Sequence, residues 1–279
     1  MTYTQILYDK DTGTGAAVIT LNKPEVLNAY GLQMREELLA ALDEASADPE
    51  VRGVILTGAG RAFSSGLFQG TGDKTGHDSD RVEEKRALLG LTSGTPRLVE
   101  RMHYFDKPII AAVNGIVAGG AINIMSACDI RIASEQARFT VLFPRSGTPP
   151  WSGCSYWLTK LIGVSHTLEL AYTNDFIDAR EMLRIGMVNR VVPHEELIPY
   201  SQAMIERMKQ IAPSVLFATK RAIRACGEVT PKDLEQGYIY EEWANSLVLE
   251  EERTEAGKSL REKRQPVYKG RGIKINIRW

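Results

Sequence analysis

Short apolar runs separated by helix-length segments limit what this chain can fold into. The runs fall at residues 4–8, 16–21, 51–57, 108–113 and 130–133, each of strand length. Residues 32–47 set Met34, Leu38, Leu39 and Leu42 along one helical face, with Arg35, Glu36, Glu37, Asp43 and Glu44 mostly opposite. Residues 81–102 offer a second amphipathic pattern. Strands joined by helix-length crossovers belong in a largely parallel sheet, so the expected class is α/β. Beyond residue 193 the strand signals stop. Residues 195–211, 214–225, 231–246 and 250–264 all read as helices, punctuated by Pro213 and Pro231. The chain thus divides into an α/β core, 1–193, and an α-helical C-terminal region, 194–279. The polar, glycine-bearing stretch 69–80 (QGTGDKTGHDSD) can bury little and reads as a loop or lid.

Composition excludes some partners. Thirty-four basic and thirty-five acidic side chains leave a formal charge of −1, which gives no overall pull toward nucleic acid or an anionic membrane. A local basic patch for a phosphorylated ligand is still permitted. Cys128, Cys154 and Cys226 are widely spaced, lack a C-x-x-C pattern, and read as free thiols of a reducing compartment. Residues 1–5 show no basic segment leading into an apolar one, and no apolar run approaches the ~20 residues of a membrane helix. A soluble, cytoplasmic protein is expected. No histidine–carboxylate spacing resembles a metal site. His77 lies in the 69–80 stretch, as a solvated residue or one titrating near neutrality. His103 ends a helix, where it suits the negative end of the dipole, while His166 and His194 are expected at helix starts without partners.

Two glycine-bearing turns follow apolar strands. One runs from Gly58 to Leu67 (GAGRAFSSGL); the other runs from Ala112 to Ala121 (AVNGIVAGGA) and opens into an apolar helix. Small residues let a ligand approach the backbone, and a helix start directs unpaired N–H groups at it. Two such N–H groups converging from separate turns make an oxyanion hole for a thioester oxygen that gains charge. Each turn alone also admits a purely structural reading.

At these residues the sequence resembles the crotonase (enoyl-CoA hydratase/isomerase) superfamily. The resemblance rests on LNKPEVLNA from Leu21 to Ala29, VILTGAGRAFSSG from Val54 to Gly66, PIIAAVNG with Ala118, Gly119 and Gly120, and CDIRIA from Cys128. A tail from Glu262 (EKRQPVYK) adds to it, and the motifs together cover roughly residues 5–270. The resemblance implies a spiral of ββα units, with an α-helical C-terminal region that mediates trimer contacts, often as a dimer of trimers. It implies an acyl-CoA substrate whose thioester oxygen is held by the N–H groups of Leu67 and Gly120. It places Lys23, Val26, Leu27, Ala29, Ser65, Gly66, Leu67 and Gly120 along the CoA moiety, with no cofactor beyond that CoA.

The catalytic residues of the family's hydratases are a pair of glutamates, and here the sequence departs from the pattern. The position three residues beyond Gly120 holds Asn123, and the second position falls on Phe143, or on Arg145 if the register slips to match Pro144. Asparagine orients water or substrate but does not shuttle a proton near neutral pH. Arg145 reads equally as a clamp for a second carboxylate or carbonyl and as a structural ion pair. Tyr238 and Tyr240 fall where the related hydroxycinnamoyl-CoA hydratase-lyases carry a tyrosine for an aromatic substrate. Helix packing is the competing reading, and at most one of the two would enter a pocket. Bulky Phe143, Pro149, Pro150 and Trp151 suggest a cyclic, aromatic or branched acyl group. The expected activity is hydratase/isomerase-like processing of such an acyl-CoA. C–C hydrolysis or decarboxylation of a β-keto or malonyl-type acyl-CoA, and acyl-CoA binding without turnover, stand as alternatives. One branch of the superfamily binds RNA through a lysine-rich helix. The corresponding 32–47 segment carries four acidic residues and one arginine, which argues against that role.

Overall fold

The computed structural model of the protein describes residues 2–67, 94–144, 150, 153–228 and 249–269. Its strands form two sheets. The larger contains β1 (Ile6–Asp11), β2 (Ala16–Leu21), β3 (Gly53–Gly58), β5 (Ile109–Val113), β7 (Ile130–Ser134) and β10 (Arg190–Val192), in that spatial order. Only the β1–β2 pair is antiparallel; every other neighbour is parallel. The smaller sheet orders β4 (Ala62–Ser64), β6 (Ile116–Ala118), β8 (Arg138–Thr140) and β9 (Ile177–Asp178).

The chain alternates between these sheets. From β3 to β8 a strand of the large sheet runs on into a strand of the small one and a helix returns to the next large-sheet strand; after β8 a long helix leads instead to β9 of the small sheet. Among the described residues the first five helices are α1 (Leu32–Ala47), α2 (Gly94–His103), α3 (Ala121–Ala127), α4 (Cys154–Thr173) and α5 (Ala179–Arg184). Successive units stack in parallel, so Val54 pairs with Ile109 and Ile110 with Ile130, while in the small sheet Ile116 pairs with Ala62 on one side and Arg138 on the other. The β4–β6 pairing is irregular, with a register shift between Ala62 and Ser64. Because β4, β6 and β8 are parallel neighbours, their C-terminal ends emerge side by side. That edge gathers the two glycine turns and the segment leading to Phe143.

Period-two alternation in the central strands serves two buried faces. Val54, Leu56, Ile109 and Ala111 join Met34, Leu38, Leu98 and Met102 in the main core. Ile55, Ile110 and Ile132 face the other way and are covered by Leu197 and Ile205 of α6 (Leu197–Met208). The predicted strands and the helices at 32–47, 195–211, 214–225 and 250–264 are present with small shifts at their ends. The 231–246 helix and most of the 81–102 pattern lie outside the described residues. Two charged-face assignments need correction. Arg35 and Glu37 of α1 are buried, and the Glu37 carboxylate accepts hydrogen bonds from the backbone N–H of Thr4 and Gln5. That face of α1 therefore anchors the start of β1.

Helix α7 (Pro213–Glu228) docks on the core through one carboxylate. Asp129 takes Lys220 Nζ at 2.8 Å, Arg224 Nη2 at 2.6 Å and the backbone N–H of Ile109 at 2.8 Å. Burial works to raise the Asp129 pKa, but Lys220 and Arg224 outweigh it and hold the group below the usual carboxylate range. His103 packs against Arg224 in the same cluster, and burial together with Arg224 and Lys220 pushes its pKa down to about 4. It is neutral at physiological pH, so the expected charged partner of a helix dipole is absent. His166 lies inside α4, 3.5 Å from Glu169, and His194 Nδ1 is 3.0 Å from Ser134 Oγ. His166 departs from the expected helix start, whereas His194 does open a short 3-10 helix, His194–Glu196; neither is unpartnered. Helix α8 (Glu250–Glu262) joins α7 through Glu252, which accepts from the Ser214 N–H at 2.7 Å. Among the described residues no helix is long and apolar enough to cross a membrane.

Removing Asp129 would leave two cations partly buried without their counter-ion. Asp129→Ala should cost about 3–5 kcal/mol in urea unfolding. Because the folded pKa is depressed, the contribution is present above the ordinary Asp pKa of about 3.9 and fades as pH falls through the lower folded value. A variant as stable as the parent at pH 7 would show that this cluster does not hold α7.

Candidate active site

The first glycine turn is held by two buried side-chain amides. Asn28 accepts the Lys23 N–H at 2.9 Å and donates to the carbonyls of Ala59 at 2.9 Å and Ala62 at 2.8 Å. Asn114 donates to the Gly60 carbonyl at 2.9 Å and the Ala62 carbonyl at 3.2 Å, and accepts the Gly58 N–H at 3.1 Å. A short 3-10 turn, Pro24–Val26, precedes Leu27 and Asn28, which both adopt left-handed backbone with φ of 55° and 54°. Asparagine tolerates that conformation better than most residues. The turn then lies along the Gly66 loop. The Ser65 N–H donates to Leu27 O at 2.9 Å, Ser65 Oγ to Val26 O at 3.4 Å, and the Tyr30 N–H to Gly66 O at 2.9 Å.

The second turn closes on the first. Gly66 has φ of +96°, and a Cβ there would lie 2.6 Å from the Gly120 nitrogen and 2.8 Å from Ala118 O. Only glycine fits both the backbone and the space. Gly120 precedes α3 with φ −59° and ψ −21°, and a Cβ on it would lie 2.6 Å from the Tyr30 hydroxyl and 3.4 Å from Leu67 Cγ. The N–H groups of Leu67 and Gly120 have no hydrogen-bond partner among the described residues, whereas the following N–H of Asn123 returns to Gly120 O at 3.1 Å. Two unspent donors therefore sit on turns in van der Waals contact.

The sequence matches the enoyl-CoA hydratase/isomerase family profile over residues 11–271. The chain belongs to that family. It is 35% identical over 227 residues to a probable enoyl-CoA hydratase of Rhodobacter capsulatus, covering 81% of this chain and 83% of the relative. It is 31% identical over 278 residues to a trans-2-decenoyl-acyl-carrier-protein isomerase of Streptococcus mutans, covering 97% of this chain and 100% of the relative. An enoyl-CoA hydratase structure from Bacillus anthracis superposes with a TM-score of 0.84 at 31% identity, over 96% of this chain and 100% of its own. The ββα spiral expected of an enoyl-CoA hydratase/isomerase family member is the fold observed.

The residues expected along the CoA moiety of this family come together. Lys23, Val26, Leu27, Ser65 and Leu67 form a partly exposed rim, while Ala29, Gly66 and Gly120 lie buried behind it. Asn123 is fully buried on α3, one turn beyond Gly120, and Phe143 is buried at the exit of β8. Arg145, Tyr238, Tyr240, His77, Pro149 and Trp151 lie outside the described residues. Sequence reasoning passed over Asn28 and Asn114 as functional supports, and Tyr30 as a neighbour of Gly120. Only the adjacency of Asn28 and Asn114 to glycine-rich stretches pointed to them. Burial pushes the thiols of Cys128 and Cys154 up to about 12, which leaves both unreactive near neutral pH.

Asn28→Ala should lose three hydrogen bonds and strain the left-handed backbone, destabilising by about 3 kcal/mol. Asn28→Gly keeps the backbone and should cost about 1 kcal/mol less. Equal urea midpoints for the two variants would remove the backbone part of this explanation.

Proposed function

We propose that this protein processes an acyl-CoA, holding the thioester oxygen between the N–H groups of Leu67 and Gly120 as negative charge builds on it. One observation carries the reading. Two backbone donors on touching turns have no partner among the described residues, where buried backbone N–H groups are normally paired. The partly exposed rim of Lys23, Val26, Leu27 and Ser65 suits the CoA chain. The cradle suits an enolate, the shared need of hydratase and isomerase chemistry, and would also suit the tetrahedral oxyanion of attack on the thioester carbonyl.

The acyl group we infer is cyclic, aromatic or branched, since a bulky Phe143 is buried just beyond β8 and the sequence follows it with Pro149, Pro150 and Trp151. Asn123 replaces a proton-carrying glutamate and can position a water or a substrate oxygen. Arg145 and Tyr238 remain proposed contacts for the far end of the substrate. Asn123 and Phe143 also favour a second reading, decarboxylation or C–C cleavage of a malonyl- or β-keto-type acyl-CoA. Loss of CO2 yields the enolate directly, with no carboxylate base at either position. In both readings the helical C-terminal region serves assembly as a trimer or a dimer of trimers, in the cytoplasm.

The test is incubation with enoyl-, β-keto- and malonyl-type acyl-CoAs, followed by mass spectrometry of products and of bound ligand. Turnover of at least one class is expected, and binding without turnover across the panel would sink the enzyme reading. The Gly120 donor needs a paired comparison. Its φ of −59° admits proline, but any Cβ at this position meets the Tyr30 hydroxyl. Gly120→Ala adds the Cβ and keeps the N–H; Gly120→Pro adds it and removes the N–H. The proline variant should turn over about 100-fold more slowly than the alanine variant. Equal rates would show that this N–H is not a donor in the reaction.

A further inference from the structure

Tyr30 is held at the cradle from two directions. Its residue forms a parallel bridge with Leu67, and its N–H donates to Gly66 O at 2.9 Å. Bridged residues project their side chains to the same face. Tyr30 and Leu67 accordingly converge on one point, where a Cβ on Gly120 would lie 2.6 Å from the Tyr30 hydroxyl, 3.4 Å from its Cζ and 3.4 Å from Leu67 Cγ. The backbone of Tyr30 thus belongs to the turn that carries one donor, and its phenol reaches the turn that carries the other. The side chain is fully buried. The ring alone would fill this volume; the hydroxyl adds an O–H donor against Gly120, the residue that carries the second backbone donor.

We propose that the Tyr30 hydroxyl is a third hydrogen-bond donor to the thioester oxygen, beside the N–H groups of Leu67 and Gly120. The inference rests on the acyl-CoA reading above and deepens it. A side-chain donor of this kind is preorganised, because backbone pairing and burial fix the ring before substrate arrives. It also gives Gly120 a second reason to lack a side chain, since any Cβ there would displace the phenol.

Binding of 4-dimethylaminocinnamoyl-CoA tests this without knowledge of the natural acyl group. Its absorption moves to longer wavelength as its thioester oxygen is polarised. At saturating protein the parent should give a red shift, and Tyr30→Phe, which removes one oxygen and keeps the ring, should give a smaller one. Affinity for the probe should weaken by about tenfold or less, as expected for one hydrogen bond. The kcat of whichever panel substrate is turned over should fall by about tenfold or more. Equal red shifts in parent and Tyr30→Phe would overturn the role of Tyr30 while leaving the backbone cradle standing. No red shift in the parent would overturn the acyl-CoA reading itself, and this inference with it. If Tyr30→Phe does not fold, 3-fluorotyrosine introduced at position 30 keeps the shape and makes the phenol more acidic. The red shift should then exceed that of the parent, and an unchanged band would overturn the proposal.

Discussion

The amides of Asn28 and Asn114 converge on the single carbonyl of Ala62, and the rest of the site depends on that convergence. One amide comes from the turn before α1, the other from the end of β5. Between them they satisfy backbone groups at Lys23, Gly58, Ala59 and Gly60 that the sheets do not reach. Buried amide networks are costly when incomplete and rigid when satisfied. Here they fix the Gly58–Ala62 bend, which sets the direction of β4, which in turn delivers Gly66 against Gly120. The donors of the cradle thus owe their position to side chains two and three links away.

The small sheet supplies the other half of this order. Three strands of three residues each end at one edge because they are parallel copies of the same unit. Such strands contribute little stability by themselves. Their value lies in placement, since each brings a loop to the same rim while the large sheet and its two apolar faces hold the spiral together.

Much of this was legible in the sequence. The large-sheet strands are long enough for apolar runs to mark them, and α1 matches its predicted bounds because its apolar spacing is regular. The short strands at Ala62, Ile116 and Arg138 gave no periodic signal, since three residues cannot show a period of two convincingly. The long helix from Cys154 was also missed. It follows a proline- and glycine-rich stretch and contains Gly163 in a non-helical conformation with φ of 76°, so its pattern is broken in the middle. In the site, the glycines could be read because their chemistry is backbone chemistry. The burial of Arg35 and Glu37 and the neutrality of His103 could not, because those depend on what packs against them from distant parts of the chain. Tyr30 escaped notice for the same reason: its meaning lies in Gly120, ninety positions away in the chain.

The shift between Ala62 and Ser64 places an extra residue, Phe63, on β4 opposite the β6 ladder. A bulge absorbs one added residue locally, bending and twisting the strand that carries it. Without Phe63 the ladder would be regular, and the turn from Ser65 to Leu67 would begin one residue short on its way to Gly120. The reach of the Leu67 donor is therefore a matter of length, set by the count of residues between Gly58 and Gly66. Loss of that one residue would cost twice, because its ring is also fully buried in the core.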